Sequence, residues 1–513
     1  MESSAAQMTD QQLPRPRGWP RACLAIAASI VLLLICGRYV DWNRIFVYGM
    51  GYTLTDQTGY ISVGRSFADT GKLESTLIFG FTLPPGFKSY IYLPGHYLTL
   101  GLVYKLFGYS IAHSFWPSLA GFLLSSALTV MIASALFGGA RALPAWVLYV
   151  FFPLNLIYAF TAMAEMTVQA SVLAAFAAFL AMPPRWRRWL GPATLALPLL
   201  FRETGFVIVL PMAAYIYREC GRRVAPVLQF GAIAVLVAVL VLSSPIAAGR
   251  APILAINLLG GSSSAPAAQW ISAITRNFTG NFDQLLHHYS EPGVEPIQVI
   301  GLGFVLTGIP LALWRWKRTG EMIYPAIAMM VLALFLSLLG LYSLWWYRGI
   351  RHLLMTEPFV AMLWADTIMD LPMPALARRV SNAIALVAVA VAGIAGMRST
   401  FDTEATVNAM AAENTAFFES LHPDTSGTLV SPWEFSLDYF QTHYPIRWSF
   451  IPVNDDGLRL LHSKYPIATL VLRKGTDGVW LTPAAIASIG LTERSEAAYQ
   501  GIPFTIYRRS GQR

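Results

Sequence analysis

A small set of ionisable residues stands at the edges of long apolar runs: Asp56, Arg65, Asp69 and His96, then Glu165, the pair Arg202-Glu203, and finally Tyr347-Arg348 with Arg351 and His352. A carboxylate such as Asp56 can take a proton from a hydroxyl, and guanidinium forks such as Arg348 and Arg351 match phosphate oxygens in a bidentate way. Ionisable groups beside hydrocarbon are costly, so a gathering of them marks a site by default. Whether they gather depends on the side of the membrane on which each one falls.

That a membrane is involved follows from composition. With 55% hydrophobic and 12% charged residues over 513 positions and a mean hydropathy of +0.52, the chain is too apolar for a soluble globular protein. The formal charge of +8 would point to nucleic acid in a soluble protein, but here the basic residues fall in short runs between apolar segments. That is a topogenic pattern, so nucleic acid is not expected as a partner. Cys23, Cys36 and Cys220 show no metal-ligand spacing and suggest no disulfide framework.

Residues 1–21 read as a polar cytoplasmic tail, followed by a retained first span at Ala22–Gly37 without a clear cleavage site. Further spans are expected near Ala112–Phe137, Pro144–Thr161, Met166–Met182, Trp189–Phe201, Gly205–Tyr217, Ala225–Leu242, Ile297–Leu313, Ile323–Leu344, Ile350–Ala365 and Ser381–Met397. Together they make about 11 transmembrane helices. Tyr92–Gly108 has too short an apolar part to cross and reads as an interfacial helix with Tyr97, Tyr104 and Lys105 at headgroup level. With this count Arg141, Arg185-Arg187-Arg188, Arg218-Arg222-Arg223, Arg315-Lys317-Arg318 and Arg378-Arg379 all face the cytoplasm. Trp189–Phe201 and Gly205–Tyr217 are short. Joined as one helix they would bury Arg202 and Glu203 in mid-bilayer, so a hairpin with these two at its outer tip is expected.

On that topology the ionisable set lies on one face, together with the first external loop (41–111), the loop 249–296 and the polar region 398–513. Loop 249–296 carries the flexible tract Gly260-Gly261-Ser262-Ser263-Ser264, suited to a lid or an acceptor contact. In 398–513, β-rich runs at Thr428–Ser431, Ile446–Pro452, Ala468–Leu472 and Phe504–Arg508 alternate with helical patterns near Ala405–Leu421, Glu434–His443 and Asp456–His462. This predicts a small α/β domain on the outer side.

The ordered series Asp56-Gln57…Tyr60…Arg65, Tyr92-Leu93-Pro94-Gly95, Glu165, Arg202-Glu203-Thr204-Gly205 and Tyr347-Arg348…Arg351 resembles the polyprenyl-phosphate-sugar-dependent glycosyltransferases of the GT-C fold. Within these it is most similar to the bacterial branch of protein O-mannosyltransferases and lipid A aminoarabinose transferases, a family 39-like pattern. The resemblance implies a polytopic α-helical GT-C membrane domain over residues 22–397. It also implies transfer of a hexosyl or pentosyl group from a polyprenyl-phosphate-linked donor to a lipid, glycan or protein acceptor, at the periplasmic face of a bacterial inner membrane.

In that setting Asp56 is the candidate base, or the group that orients the acceptor, and Glu165 is the second candidate catalytic carboxylate. Arg65, His96, Arg202, Glu203, Tyr347, Arg348 and Arg351 are candidate substrate-binding residues. Related enzymes often carry Asp followed by Glu in the first loop; this chain has Asp56-Gln57, which weakens any role needing two adjacent carboxylates. No metal ligand set is assigned. A divalent cation is the one cofactor the chemistry leaves open, since a hard cation wants several oxygen ligands.

Plainer roles stand beside these. Asp56 can cap a helix starting near Gln57, Glu165 can cap the span at Met166, and Arg202 and Glu203 can pair locally. Arg65 can pair with Asp56 or Asp69, while Arg348, Arg351 and His96 can be interfacial residues. His287-His288 with Asp283 lacks a further spaced ligand. At the level of function, the alternatives to a transferase are a transporter or flippase of a lipid-linked sugar, and a membrane scaffold.

Overall fold

Backbone polar groups in hydrocarbon must be satisfied within the segment, so long uncharged runs become helices. A computed structural model of the chain describes residues 19–40, 42, 52–75, 77–78, 93–244, 295–340, 350–370, 374–424, 426–431, 447–449, 454–475 and 481–510. Its elements begin α1 (Trp19–Cys36), α2 (Tyr52–Thr70), β1 (Leu77–Ile78), α3 (Pro94–Phe107), α4 (Ile111–Phe137), α5 (Gly139–Val150), α6 (Pro153–Ala159) and α7 (Glu165–Ala181). They continue with α8 (Pro184–Leu190), α9 (Ala196–Phe201), α10 (Val209–Glu219) and α11 (Val224–Leu242), then the helices Glu295–Thr319, Ile323–Gly340, Glu357–Met369 and Ala375–Ser420. Short 3-10 turns cover Gly191–Leu195, Glu203–Ile208 and Ile350–Thr356.

Among the described residues α1, α4 and α11 are each long and apolar enough to cross a membrane, and α5 with α6 makes a fourth, bent by 65°. The bend divides the single span expected at Pro144–Thr161. Phe152, ahead of Pro153, is held extended at φ −69° and ψ 115°, because a proline ring disfavours the helical region for its predecessor. The largest fully buried side chains, among them Phe115, Phe122, Tyr149, Tyr158, Phe160 and Phe176, fill the space around α4 and α7.

The segment from Pro184 to Glu219 folds as the expected hairpin. At its open end Arg187 pairs with Glu219, and its Nε also donates to the Phe179 carbonyl at 3.1 Å, capping the end of α7. At its tip Arg202 is extended (φ −158°, ψ 139°) and the chain turns back. From Glu165 to Phe179 the axis of α7 rises about 21 Å, so α7 connects two ends of the bundle.

The end away from Arg202 carries a compensated charge cluster. Arg315 meets Asp366 at 2.6 Å and Asp370 at 2.7 Å, Arg141 meets Asp370 at 2.7 Å, and the Tyr324 hydroxyl donates to Asp366 at 2.8 Å. Buried ion pairs are weak evidence for stability but do fix register between helices.

α3 has the expected short length, but its tyrosines turn the other way. Tyr97 and Tyr104 are buried, Tyr104 hydrogen-bonds Ser114 at 2.7 Å, and Leu102, Lys105, Leu106 and Phe107 form the exposed face. α3 packs along α2 at Gly64 and Gly101, which lets the two backbones approach and draws the tyrosine rings inward: a Cβ at Gly101 would lie 2.8 Å from the Gly64 carbonyl.

Ala375–Ser420 is one helix of 46 residues, which runs through the change of composition at Arg398. Gly393 packs against the carbonyl of Phe151 at the α5–α6 bend. About 36 Å further along, Phe417 stacks on Tyr499 at 4.6 Å and meets Phe504 at a tilt, 5.6 Å away. The rod thus carries the C-terminal sheet, which has six strands in the order β1-β3-β2-β4-β6-β5. These are β2 (Thr428–Val430), β3 (Arg447–Ser449), β4 (Ile467–Arg473), β5 (Leu491–Tyr499) and β6 (Ile502–Arg509), with β1 from the first loop.

β1 pairs parallel with β3, Leu77 opposite Trp448 and Ile78 opposite Ser449. The first loop and the C-terminal domain therefore share one side of the membrane. β5 has no counterpart among the expected strands: its alternation of Glu493, Arg494 and Glu496 reads as a charged edge. The helical pattern at Glu434–His443 lies outside the described residues.

A Cβ at Gly121 would lie 2.7 Å from the Met166 carbonyl, where α4 crosses α7. Gly121→Val is expected to cost about 1–3 kcal/mol by overpacking, seen as a fall of several degrees in the unfolding temperature of the detergent-solubilised protein. Gly231→Ala in α11, with open space around it, is the matched control and should leave that temperature within a degree or raise it.

Candidate active site

The turn between α6 and α7, residues 161–164, leaves backbone groups that no helix satisfies, and it lies buried. Side chains from three other helices meet them. The Ala162 N–H donates to Gln57 Oε1 of α2 at 2.9 Å, His96 Nε2 of α3 donates to the Ala162 carbonyl at 3.0 Å, and Ser118 of α4 donates to the Met163 carbonyl at 2.9 Å. Because a carbonyl only accepts, this contact fixes the His96 tautomer. Nε2 carries the proton, and Nδ1 lies 3.0 Å from Thr167 Oγ1. Tyr60 closes the imidazole edge-on at 4.8 Å.

Directly after this turn Glu165 opens α7, where the helix dipole favours a carboxylate. Its Oε1 meets Arg202 Nη2 at 3.1 Å, and both side chains are buried. Gly95 makes the meeting of helices possible: a Cβ there would strike the Leu200 carbonyl and the Phe201 ring, each at 2.8 Å. α3, α7 and the tip of the hairpin thereby converge on His96, Glu165 and Arg202.

One turn further into α7, Gln169 donates to the Leu354 carbonyl at 2.7 Å and accepts from the Tyr149 hydroxyl at 2.8 Å. Asn155 of α6 donates to Glu357 Oε2 at 2.7 Å. The 3-10 turn Ile350–Thr356, which holds Arg351, is therefore moored just inside the Glu165–Arg202 pair.

The sequence-predicted residues distribute as follows. Residue 56 lies within α2, which begins at Tyr52, so Asp56 is inside the helix and is not its N-cap; it directly precedes the anchored Gln57. His96, Glu165 and Arg202 come together. Arg202 reaches across to Glu165, and Glu203 follows it at the head of the 3-10 turn Glu203–Ile208. Arg65 stands apart from this group: its guanidinium lies 3.8 Å over the Tyr109 ring and 4.0 Å from Asp69. Arg351 belongs to the moored 3-10 turn, while Tyr347, Arg348 and the pair His287-His288 lie outside the described residues.

Sequence reasoning missed Gln57, Ser118, Asn155, Gln169 and Glu357 as anchors. The available signal was a polar side chain inside an apolar run, clearest for Gln169 and Glu357. Among the described residues no three of His, Cys, Asp and Glu gather to hold a metal ion.

Burial pushes the His96 imidazole down from 6.5 to about 4, against the opposing pull of the Ala162 carbonyl and Glu165. The native state thus takes up this proton at lower pH than the unfolded chain does. The associated stability is complete above about pH 7 and is lost as pH falls toward 4, up to about 3 kcal/mol. Unfolding temperature should decline across that window in the wild type. His96→Gln, which keeps a donor for Ala162 but does not titrate, should show a shallower decline, and equal slopes would remove His96 as the cause.

No family model and no curated protein matches the sequence. Among solved structures, ArnT from Cupriavidus metallidurans bound to undecaprenyl phosphate is similar over 96% of this chain and 98% of its own, with a TM-score of 0.56 at 13% identity. The Archaeoglobus fulgidus oligosaccharyltransferase AglB, in complex with an inhibitory peptide and a dolichol-phosphate, is similar over 96% of this chain and 75% of its own, TM-score 0.52 at 13% identity. The Archaeoglobus fulgidus oligosaccharyltransferase in complex with Zn and sulfate covers 94% and 72%, TM-score 0.51 at 12% identity. From its first span to its terminal sheet, the chain has the GT-C fold that the order of its residues resembles.

Proposed function

We propose that the protein is an inner-membrane glycosyltransferase that moves a sugar from a polyprenyl-phosphate donor to an acceptor hydroxyl or amine at the periplasmic face. The observation that carries this reading is the convergence, at one end of a GT-C bundle, of the helix bearing Asp56, the Glu165–Arg202 pair and the 3-10 turn bearing Arg351. That ArnT and AglB were solved with polyprenyl-type phosphates supports the donor class.

The reaction asks little of an acid, because a lipid phosphate already leaves as a stable anion. It needs a base or orienting group at the acceptor and positive charge at the phosphate. Asp56 accepts the acceptor's proton as its heteroatom attacks the anomeric carbon. The bond from that carbon to the phosphate oxygen breaks, its electron pair stays on the polyprenyl phosphate, and the anomeric configuration inverts. Arg348 and Arg351 supply the charge at the phosphate. The charge of Arg202 is balanced by Glu165, which gives that pair the task of holding the α7 end and the hairpin tip in register.

A divalent cation would assist by neutralising the phosphate. Among the described residues Glu165 is paired with Arg202 through one oxygen and no three of His, Cys, Asp and Glu gather, so the donors there fall short of what a hard cation wants and no step uses one.

Asp56→Asn should lower transfer at least about 100-fold while leaving insertion intact. Mass spectrometry of lipid extracts from cells with wild type, no protein or Asp56→Asn should show one polyprenyl-phosphate sugar accumulating in both altered strains. Purified wild type should also make the glycosylated product in detergent, where a flippase would make none. Full activity of Asp56→Asn, or absence of detergent-phase transfer from the accumulated lipid, would overturn the assignment.

A further inference from the structure

The bundle end opposite Glu165 and Arg202 carries cations that the reaction does not use. α8 is set across the end of α7 by Pro183 and Pro184, and Arg187, 1% exposed, anchors it by reaching the Phe179 and Leu180 carbonyls and Glu219. With Arg187 held inward, Trp186 and Trp189 remain 47% and 46% exposed, and Arg188 lies 4.6 Å over the Trp189 ring. α8 is therefore an anchored strip of indoles and guanidinium groups facing outward.

Two neighbouring turns extend the strip. The α10–α11 turn exposes Arg222 and Arg223, with Arg222 in the left-handed region at φ 62°. Arg218 meets Glu321 at 3.3 Å, which brings in the end of helix Glu295–Thr319, where Lys317 and Arg318 are exposed and Trp316 is 43% exposed. Glu219 and Glu321, the acidic residues of this rim, are each already paired with an arginine. Arg185, Arg188, Arg222, Arg223, Lys317 and Arg318 make no ion pair among the described residues.

Indoles at headgroup depth with arginines beside them match a plane of lipid phosphates, and uncompensated cations near such a plane attract anionic headgroups. A rim that served only to orient the chain during insertion would need neither a buried anchor for α8 nor indoles flanking its cations. We propose that this rim is a binding surface for anionic phospholipid, which it holds in preference to zwitterionic lipid. The surface is independent of the transfer site, about 20 Å away along α7.

The test uses the full chain in detergent, titrated with phosphatidylglycerol and phosphatidylcholine at equal concentration, with bound lipids counted by native mass spectrometry. Wild type is expected to favour phosphatidylglycerol about tenfold or more, and the preference should shrink as salt rises from 0.05 to 0.5 M by order of magnitude. Each of the double variants Arg185→Gln/Arg188→Gln, Arg222→Gln/Arg223→Gln and Lys317→Gln/Arg318→Gln should weaken the preference about threefold to tenfold. Lys105→Gln, on the far side of the bundle, should leave it unchanged. Absence of a preference in the wild type overturns the proposal without any variant needing to fold. A preference that Lys105→Gln reduces as much as the rim variants overturns it as well.

Discussion

The structure depends on how one buried turn is satisfied. Residues 161–164 break the helical path between α6 and α7 where no water is at hand to take up the freed amide and carbonyl groups, and each unmet group would cost several kcal/mol. Gln57, His96 and Ser118 supply the missing partners from α2, α3 and α4. The first-loop helix, the interfacial helix and a central span are thereby locked to the start of α7. The amide at 57 suits this place. Its carbonyl accepts the Ala162 N–H, whereas a glutamate there would bring a second carboxylate beside Glu165, with Arg202 already engaged.

The two ends of the bundle use charge differently. At the far end Arg141, Arg315, Asp366 and Asp370 neutralise one another in a cluster that ties α5 to two later helices. At the near end the Glu165–Arg202 pair ties α7 to the hairpin tip, while the 3-10 turn that bears Arg351 is moored separately through Gln169. A compensated cluster keeps helices in register, whereas the proposed transfer asks for further positive charge at the phosphate. The strand β1 adds a constraint that needs no charge. By pairing with β3 it holds the first loop against the C-terminal sheet, which is one reason for a rigid 46-residue helix to join bundle and sheet.

Much of this architecture is legible in the sequence because hydrocarbon leaves few options. Apolar length predicts the helices, basic runs separate the two faces, and the cost of burying Arg202 and Glu203 predicts a hairpin instead of a single span. Four of the five C-terminal strands follow from β-branched and aromatic runs. β5 does not, since LTERSEAAY is polar and takes its conformation from its partner β6. The bend at Pro153 and the inward turn of Tyr97 and Tyr104 depend on helix contacts that no local pattern encodes. The anchors were illegible for a related reason: Gln57 and Gln169 look like stray polar residues until the turn and the carbonyl they satisfy are known.

The same anchors explain how the proposed reacting groups are held accurately enough for chemistry. Asp56 precedes Gln57 in an α-helix, so the backbone at 56 inherits the position that the Ala162 hydrogen bond imposes. Arg351 is three residues, one 3-10 turn, from Leu354, whose carbonyl is fixed by Gln169. Gln169 itself follows Glu165 by four residues on one face of α7. The proposed base, the ion pair and the turn proposed to bind phosphate are thus referred to a single rigid helix. Such a common reference is needed because catalysis by positioning tolerates only displacements well under an ångström.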